Sequence, residues 1–127
     1  MDKKGVFVAV LADWCPHCQV FIRDEEDGLK TKLNSYPSLL WYIIITNRDS
    51  KIKSIDKSES SPQLSADKSE KISKEYVKHF PTFLFFTEND WNTISSPSEY
   101  SGNNVASSID EWIKSLINSK STAYFYF

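Results

Sequence analysis

The sequence predicts an α/β protein, a four-stranded mixed sheet with helices on both faces. Three observations carry this. Two unbroken apolar runs, VFVAVLA at residues 6–12 and LLWYIIIT at residues 39–46, read as strands covered on both faces, as central strands of a parallel sheet are. The segment between them has helical character, so the three form a strand–helix–strand unit with a right-handed crossover. A third apolar run, TFLFFT at residues 82–87, is followed at residues 104–118 by apolar positions in helical register.

Each element has its own local signals. The first helix is expected from Pro16 to about Asn34, because proline suits a first helical position that needs no N–H. Val20, Phe21, Leu29 and Leu33 supply its buried face, Gly28 weakens or kinks it, and residues 24–27 form a solvated acidic cluster. Residues 47–73 are rich in Ser, Lys and Asp and read as an exposed or partly disordered insert, interrupted by Pro62. A short helix follows at residues 67–78, with Ile72, Tyr76 and Val77 facing inward. After the third strand, Glu88, Asn89 and Asp90 supply turn chemistry. A fourth strand is expected within residues 91–96, antiparallel to the third. The last helix carries Val105, Ile109, Trp112, Ile113, Leu116 and Ile117 on one face. Trp41 and Trp112 read as core and Trp91 as filling a hairpin edge. The chain of 127 residues is expected to be one domain that ends in an aromatic tail at residues 120–127.

Composition limits the function. The formal charge of −2 argues against a general nucleic-acid binder, and no apolar run reaches the ~18–20 residues needed to cross a bilayer. The apolar run at residues 6–11 is shorter than a usual secretory signal core and flows straight into the cysteines, so retention in the cytoplasm is expected. The chain has 13 Lys against 2 Arg, with abundant Ser, Ile and Asn. That bias suggests AT-rich coding, as in some protists and large DNA viruses; for a virus the expected location extends to the virion.

The chemistry concentrates in ADWCPHC, residues 12–18, which holds both cysteines of the chain. A bridge between Cys15 and Cys18 closes a loop too short to add much stability, so reactivity is the better reason for the pair. At a strand end and a helix start, exposed N–H groups and the helix dipole favour a thiolate at Cys15, and His17 adds to this. Cys18, one turn later, is less exposed and can attack a mixed disulfide formed at Cys15. Half of a zinc site has the same spacing, but zinc takes about four ligands, and His17 and His79 are the only histidines. Asp13 reads as solvated, with a charge that opposes a thiolate.

VFVAVLADWCPHCQVF resembles the active-site strand and helix of the thioredoxin superfamily. HFPTFLFF, residues 79–86, is similar to the segment that carries the superfamily's cis-proline, and YSGNNVASSIDEWIKSL, residues 100–116, to its final glycine and helix. The likeness runs from about Val6 to Leu116 and is poorest over residues 47–73. It implies a thiol–disulfide oxidoreductase in which Cys15 is the nucleophile and Cys18 the resolving thiol. Pro16 and His17 tune the pair, Trp14 flanks it, and Pro81 is cis, with the backbone of Phe80 meeting the substrate chain. No bound cofactor is implied. The implied partners are protein thiols and disulfides and an unidentified electron donor or acceptor, with neither nucleic acid nor membrane. The aromatic tail either frays or forms a hydrophobic patch that packs on the exposed sheet edge or on another chain, which leaves a homodimer open.

The Pro16-His17 dipeptide matches the bacterial periplasmic disulfide-forming oxidant rather than the Gly-Pro of typical thioredoxin, which implies a less reducing couple. Two departures stand out. Ala9 occupies the position, six before the first cysteine, where the superfamily often has a buried acid. The first strand and helix of full-length thioredoxin are missing from the pattern, which is expected to shorten one sheet edge. The rival reading is a non-catalytic binding or structural protein of the same fold.

Overall fold

The computed structural model describes residues 5–23, 28–49 and 51–125, with side chains described as far as residue 118. Its centre is β1 (Gly5–Ala12), every residue of which is buried. It pairs in parallel with β2 (Leu39–Thr46), from Gly5 opposite Leu39 to Ala12 opposite Thr46. On its other side it pairs antiparallel with β4 (Thr82–Phe86). Alternation along these strands divides the core in two. Phe7, Ala9, Leu11, Trp41, Ile43, Phe83 and Phe85 point to one face, and Val6, Val8, Val10, Tyr42, Ile44, Leu84 and Phe86 to the other.

The first face is covered by α1 (Gln19–Arg23), α2 (Leu29–Leu33) and α5 (Ala106–Phe125), through Phe21, Leu29, Leu33, Ile109, Ile113 and Ile117. The second is covered by α3 (Ala66–Tyr76) and α4 (Glu88–Thr93), through Ile72, Trp91 and the flanking Leu64 and Ile94. Helices thus cover both faces of a mixed, open sheet. Among the described residues no helix is long and apolar enough to cross a membrane.

Among the described residues the sheet has five strands, not four, in the order β3 (Ile52–Lys57), β2, β1, β4 and β5 (Ser98–Glu99). The additional strand, β3 (Ile52–Lys57), comes from the polar stretch expected to be a loop, and it pairs antiparallel with β2. It gains order from backbone pairing at a sheet edge, which composition does not register. The chain after it is also tied down: the Trp41 N–H donates to Ser61 Oγ at 3.3 Å, the Tyr42 hydroxyl to the Pro62 carbonyl at 2.6 Å, and Ser58 and Ser61 share a hydroxyl hydrogen bond. The edge beyond β2 is therefore filled rather than shortened.

The strand expected at residues 91–96 is instead α4. Thr87 caps it by accepting the Asp90 N–H at 3.2 Å, and Glu88 and Asp90 place negative charge at its start. It ends at Ile94 in the left-handed region (φ 48°), a conformation β-branched residues rarely adopt, held with the Ile94 side chain buried. Trp91 is accordingly core, stacked 5.6 Å from Tyr42, and the outer antiparallel partner of β4, on the side away from β1, is the two-residue β5 (Ser98–Glu99).

The first helix is also corrected. It is a 3-10 turn at Pro16–Cys18 running into α1, then a separate α2 whose N-cap is Gly28 in extended conformation. The acidic cluster at residues 24–27 lies outside the described residues. Val20 is 56% exposed because Cys18 and Phe21, three apart, take the sheet-facing side. Val105 is exposed just before α5, and Trp112 is only half-buried, against Tyr100 and Phe85. The side chains of the tail at residues 120–127 lie outside those described.

Candidate functional site

Both cysteines stand where β1 leaves the sheet. The Asp13 N–H donates to the Thr46 carbonyl at 2.9 Å, prolonging the β1–β2 ladder by one residue. The Cys15 N–H then donates to the Ala12 carbonyl at 3.2 Å and closes a turn. Cys15 is still extended (φ −87°, ψ 121°), Pro16 opens the helical turn, and the Cys18 N–H donates to the Cys15 carbonyl at 3.1 Å. One turn thus separates the two residues, both are free thiols, and both belong to the apolar cluster on the α1 face.

Their surroundings differ. Cys18 is fully enclosed, and its sulfur accepts the Ala12 N–H at 3.4 Å. Burial pushes its thiol from the ordinary 9.0 up to about 12; the Ala12 N–H opposes the rise and the neighbouring Cys15 adds to it. Cys15 retains 6% exposure, and its thiol donates to the Phe80 carbonyl at 3.7 Å. The expected contact of a backbone N–H with sulfur is therefore found at Cys18, and the Cys15 side chain makes no capping hydrogen bond.

The Phe80–Pro81 peptide bond is cis, as expected, and the buried Pro81 leads directly into β4. Trp14 is 43% exposed and meets the Phe80 ring edge-on at 5.8 Å. Cys15, Cys18, Trp14, Phe80 and Pro81 are thus brought together across 65 residues of chain. Pro16 and His17 lie on the exposed side of the turn, and no hydrogen bond from His17 to either sulfur occurs among the described residues. Ala9 is wholly buried in β1, on the face that holds Cys18.

Three features escaped the sequence. Lys53, from β3, reaches the Asp13 carboxylate at 3.4 Å, so that carboxylate is paired rather than merely solvated. Gln19 Nε2 holds the Asp13 carbonyl at 2.7 Å, steadying the turn. A cavity of about 490 Å³ opens on the α3 side of the Trp14–Phe80 pair. No local motif announces any of them, since each depends on the register of β3 or the placement of α3.

His79 does not approach the sulfurs as a ligand; its Nε2 lies 3.1 Å from the Glu99 carboxylate, and both are exposed. No group of three or more His, Cys, Asp or Glu gathers as a metal-binding set among the described residues. The arrangement provides one slightly accessible thiol against a carbonyl and an aromatic pair, backed by a second, sealed thiol. No protein-family model matches this chain, and no curated protein matches it in sequence.

Proposed function

We propose that the chain is a thioredoxin-like thiol–disulfide oxidoreductase that exchanges with protein thiols and disulfides. The observation that carries this reading is the asymmetric dithiol at the end of β1, with Cys15 Sγ 3.7 Å from the carbonyl that precedes cis-Pro81. The Cys15 thiolate attacks a substrate disulfide, forms a mixed disulfide and releases one substrate thiolate. Cys18 then gives up its proton and attacks Cys15 Sγ. The second substrate thiolate leaves and an intramolecular disulfide remains. Run in reverse, the same steps oxidise a substrate dithiol. In this reading the Phe80 carbonyl accepts from a bound peptide, and the Trp14 ring covers its apolar side.

The test is the equilibrium between the Cys15–Cys18 pair and glutathione buffers. A reversible two-electron couple between about −120 and −230 mV is expected, in the oxidising and isomerising range. A value near about −270 mV would make the protein a reductase and remove the inference from Pro16-His17. Absence of a reversible couple would overturn the enzymatic reading.

A second reading, a binding protein of the same architecture, draws on Ala9. That buried methyl lies in the apolar cluster that holds Cys18, where a carboxylate could have accepted the Cys18 proton. Cys18→Ala separates the two readings: an enzyme accumulates mixed disulfides through Cys15, and a binding module does not.

A further inference from the structure

The cavity beside the dithiol has features that the exchange reaction does not require. Trp14 and Phe80, whose carbonyl meets the Cys15 thiol, line it, Val10 contributes from β1, and Ser73 and Val77 come from α3 and its C-terminal end. Lys78 also lines it. Ser73 Oγ is buried yet has no hydrogen-bond partner among the described residues. An unsatisfied buried hydroxyl is destabilising, and a polar group that reached it from the cavity would relieve that.

The charges around the cavity are unequal. His79 lines it too, but the Glu99 carboxylate already engages its ring. The Thr46 hydroxyl is spent on the Leu11 carbonyl at 3.1 Å. Asp13, the chain neighbour of Trp14, is matched by Lys53. No ion pair to Lys78 occurs among the described residues, so among the cations lining the cavity Lys78 is the one without a matched carboxylate there. An unpartnered hydroxyl and an unmatched cation, lined by aromatic and aliphatic side chains, suit a short side chain that ends in a carboxylate.

We infer that this cavity is a specificity subsite for a peptide substrate bearing an acidic residue next to its reactive cysteine, the carboxylate meeting Ser73 and Lys78. The inference rests on the exchange reading and supplies its substrate class. The aromatic pair places the acidic residue within a residue or two of the cysteine that reaches Cys15.

The probes are three hexapeptides, identical except for Glu, Gln or Lys beside one cysteine held as a mixed disulfide with 2-thiopyridine. The second-order rate of pyridinethione release by reduced protein is the readout. The Glu peptide is expected to react about fivefold faster than the Lys peptide at low ionic strength, as suits one partly exposed charge pair, with the ratio shrinking in high salt. Lys78→Glu should reverse the order, and Ser73→Ala should slow the Glu peptide while leaving the Lys peptide unchanged. Equal rates for the three peptides, or a preference that survives Lys78→Glu, would overturn the subsite and leave the exchange reading standing. A companion titration uses the Cys15→Ser protein and peptides with serine for cysteine, following the Ser73 and Lys78 amide resonances. Shifts specific to the Glu peptide, with no exchange by the unmutated protein, would keep the subsite and remove the exchange reading.

Discussion

The two faces of the sheet treat the end of β1 in opposite ways. On the face of α1, α2 and α5, Phe21, Leu29, Leu33, Ile109 and Ile113 close over the strands, and Cys18, in the same apolar cluster, is completely buried. On the face of α3 and α4, the packing is as apolar beneath Tyr42, Ile72, Phe86 and Trp91 but stops short of the strand ends, where the cavity opens beside Trp14 and Phe80. The dithiol lies at the boundary. One sulfur is held protonated by burial, and the other keeps a narrow opening against a carbonyl. The lesson is that a three-layer fold can assign separate roles to two chemically identical thiols by how far each layer of helices extends.

The largest expected effect concerns accessibility. Alkylation of the native, reduced protein at neutral pH should modify Cys15 first, with Cys18 slower by at least about tenfold, since the thiolate is the reacting species. Cys15→Ser should abolish fast labelling, whereas Cys18→Ser should preserve it; mass spectrometry of quenched samples assigns the site. Equal labelling of both thiols would remove the contrast between the faces.

Opening the sealed face is the next test. Phe21 is almost fully buried and packs edge-on against Phe83 at 5.2 Å. Phe21→Ala should cost about 3–5 kcal/mol in urea unfolding. In the variant that remains folded, Cys18 should label faster while Cys15 changes little. A stability loss without any gain in Cys18 labelling would show that Phe21 does not seal the thiol.

The smallest effect is on alkaline stability. Burial raises the Cys18 thiol from 9.0 to about 12. Burial, reinforced by the hydrogen bond to Asp110, raises the Tyr36 hydroxyl, and burial raises that of Tyr42. Each group binds its proton more tightly folded than unfolded. Their contribution is therefore complete below pH 9, the ordinary Cys value, and is lost as pH climbs toward 12. Thermal unfolding followed from pH 7.5 to 11 should show a Tm that is level at first and then declines. Cys18→Ala should shift the onset of decline upward, toward the tyrosine range.

Much of this architecture is legible in the residues. β1 and β2 are written as apolar, β-branched runs, and their boundaries follow those runs to within a residue. Pro16 marks the helical turn, and Ile109, Ile113 and Ile117 repeat every four residues and face the sheet. The cysteine pair and the residues flanking Pro81 are also visible, because covalent spacing and the restricted backbone of proline are local properties. The insert was misread because Ile52 and Ile55 lie among lysines and serines, and pairing with β2 is a long-range event. The segment at residues 91–96 was misread for a related reason: its β-branched residues outweighed the Thr87 cap, although the capped α4 is what buries Trp91.

By itself the sequence determined an α/β chain with a dithiol at the junction of a buried strand and a helical turn, since periodicity and spacing act within a few residues. Only the tertiary structure decided that Phe80 would meet Cys15 across 65 residues, that Lys53 would pair with Asp13, and that Ser73 and Lys78 would line a cavity next to them. Those outcomes depend on strand register and on where each helix ends against the sheet, which no short stretch of chain encodes.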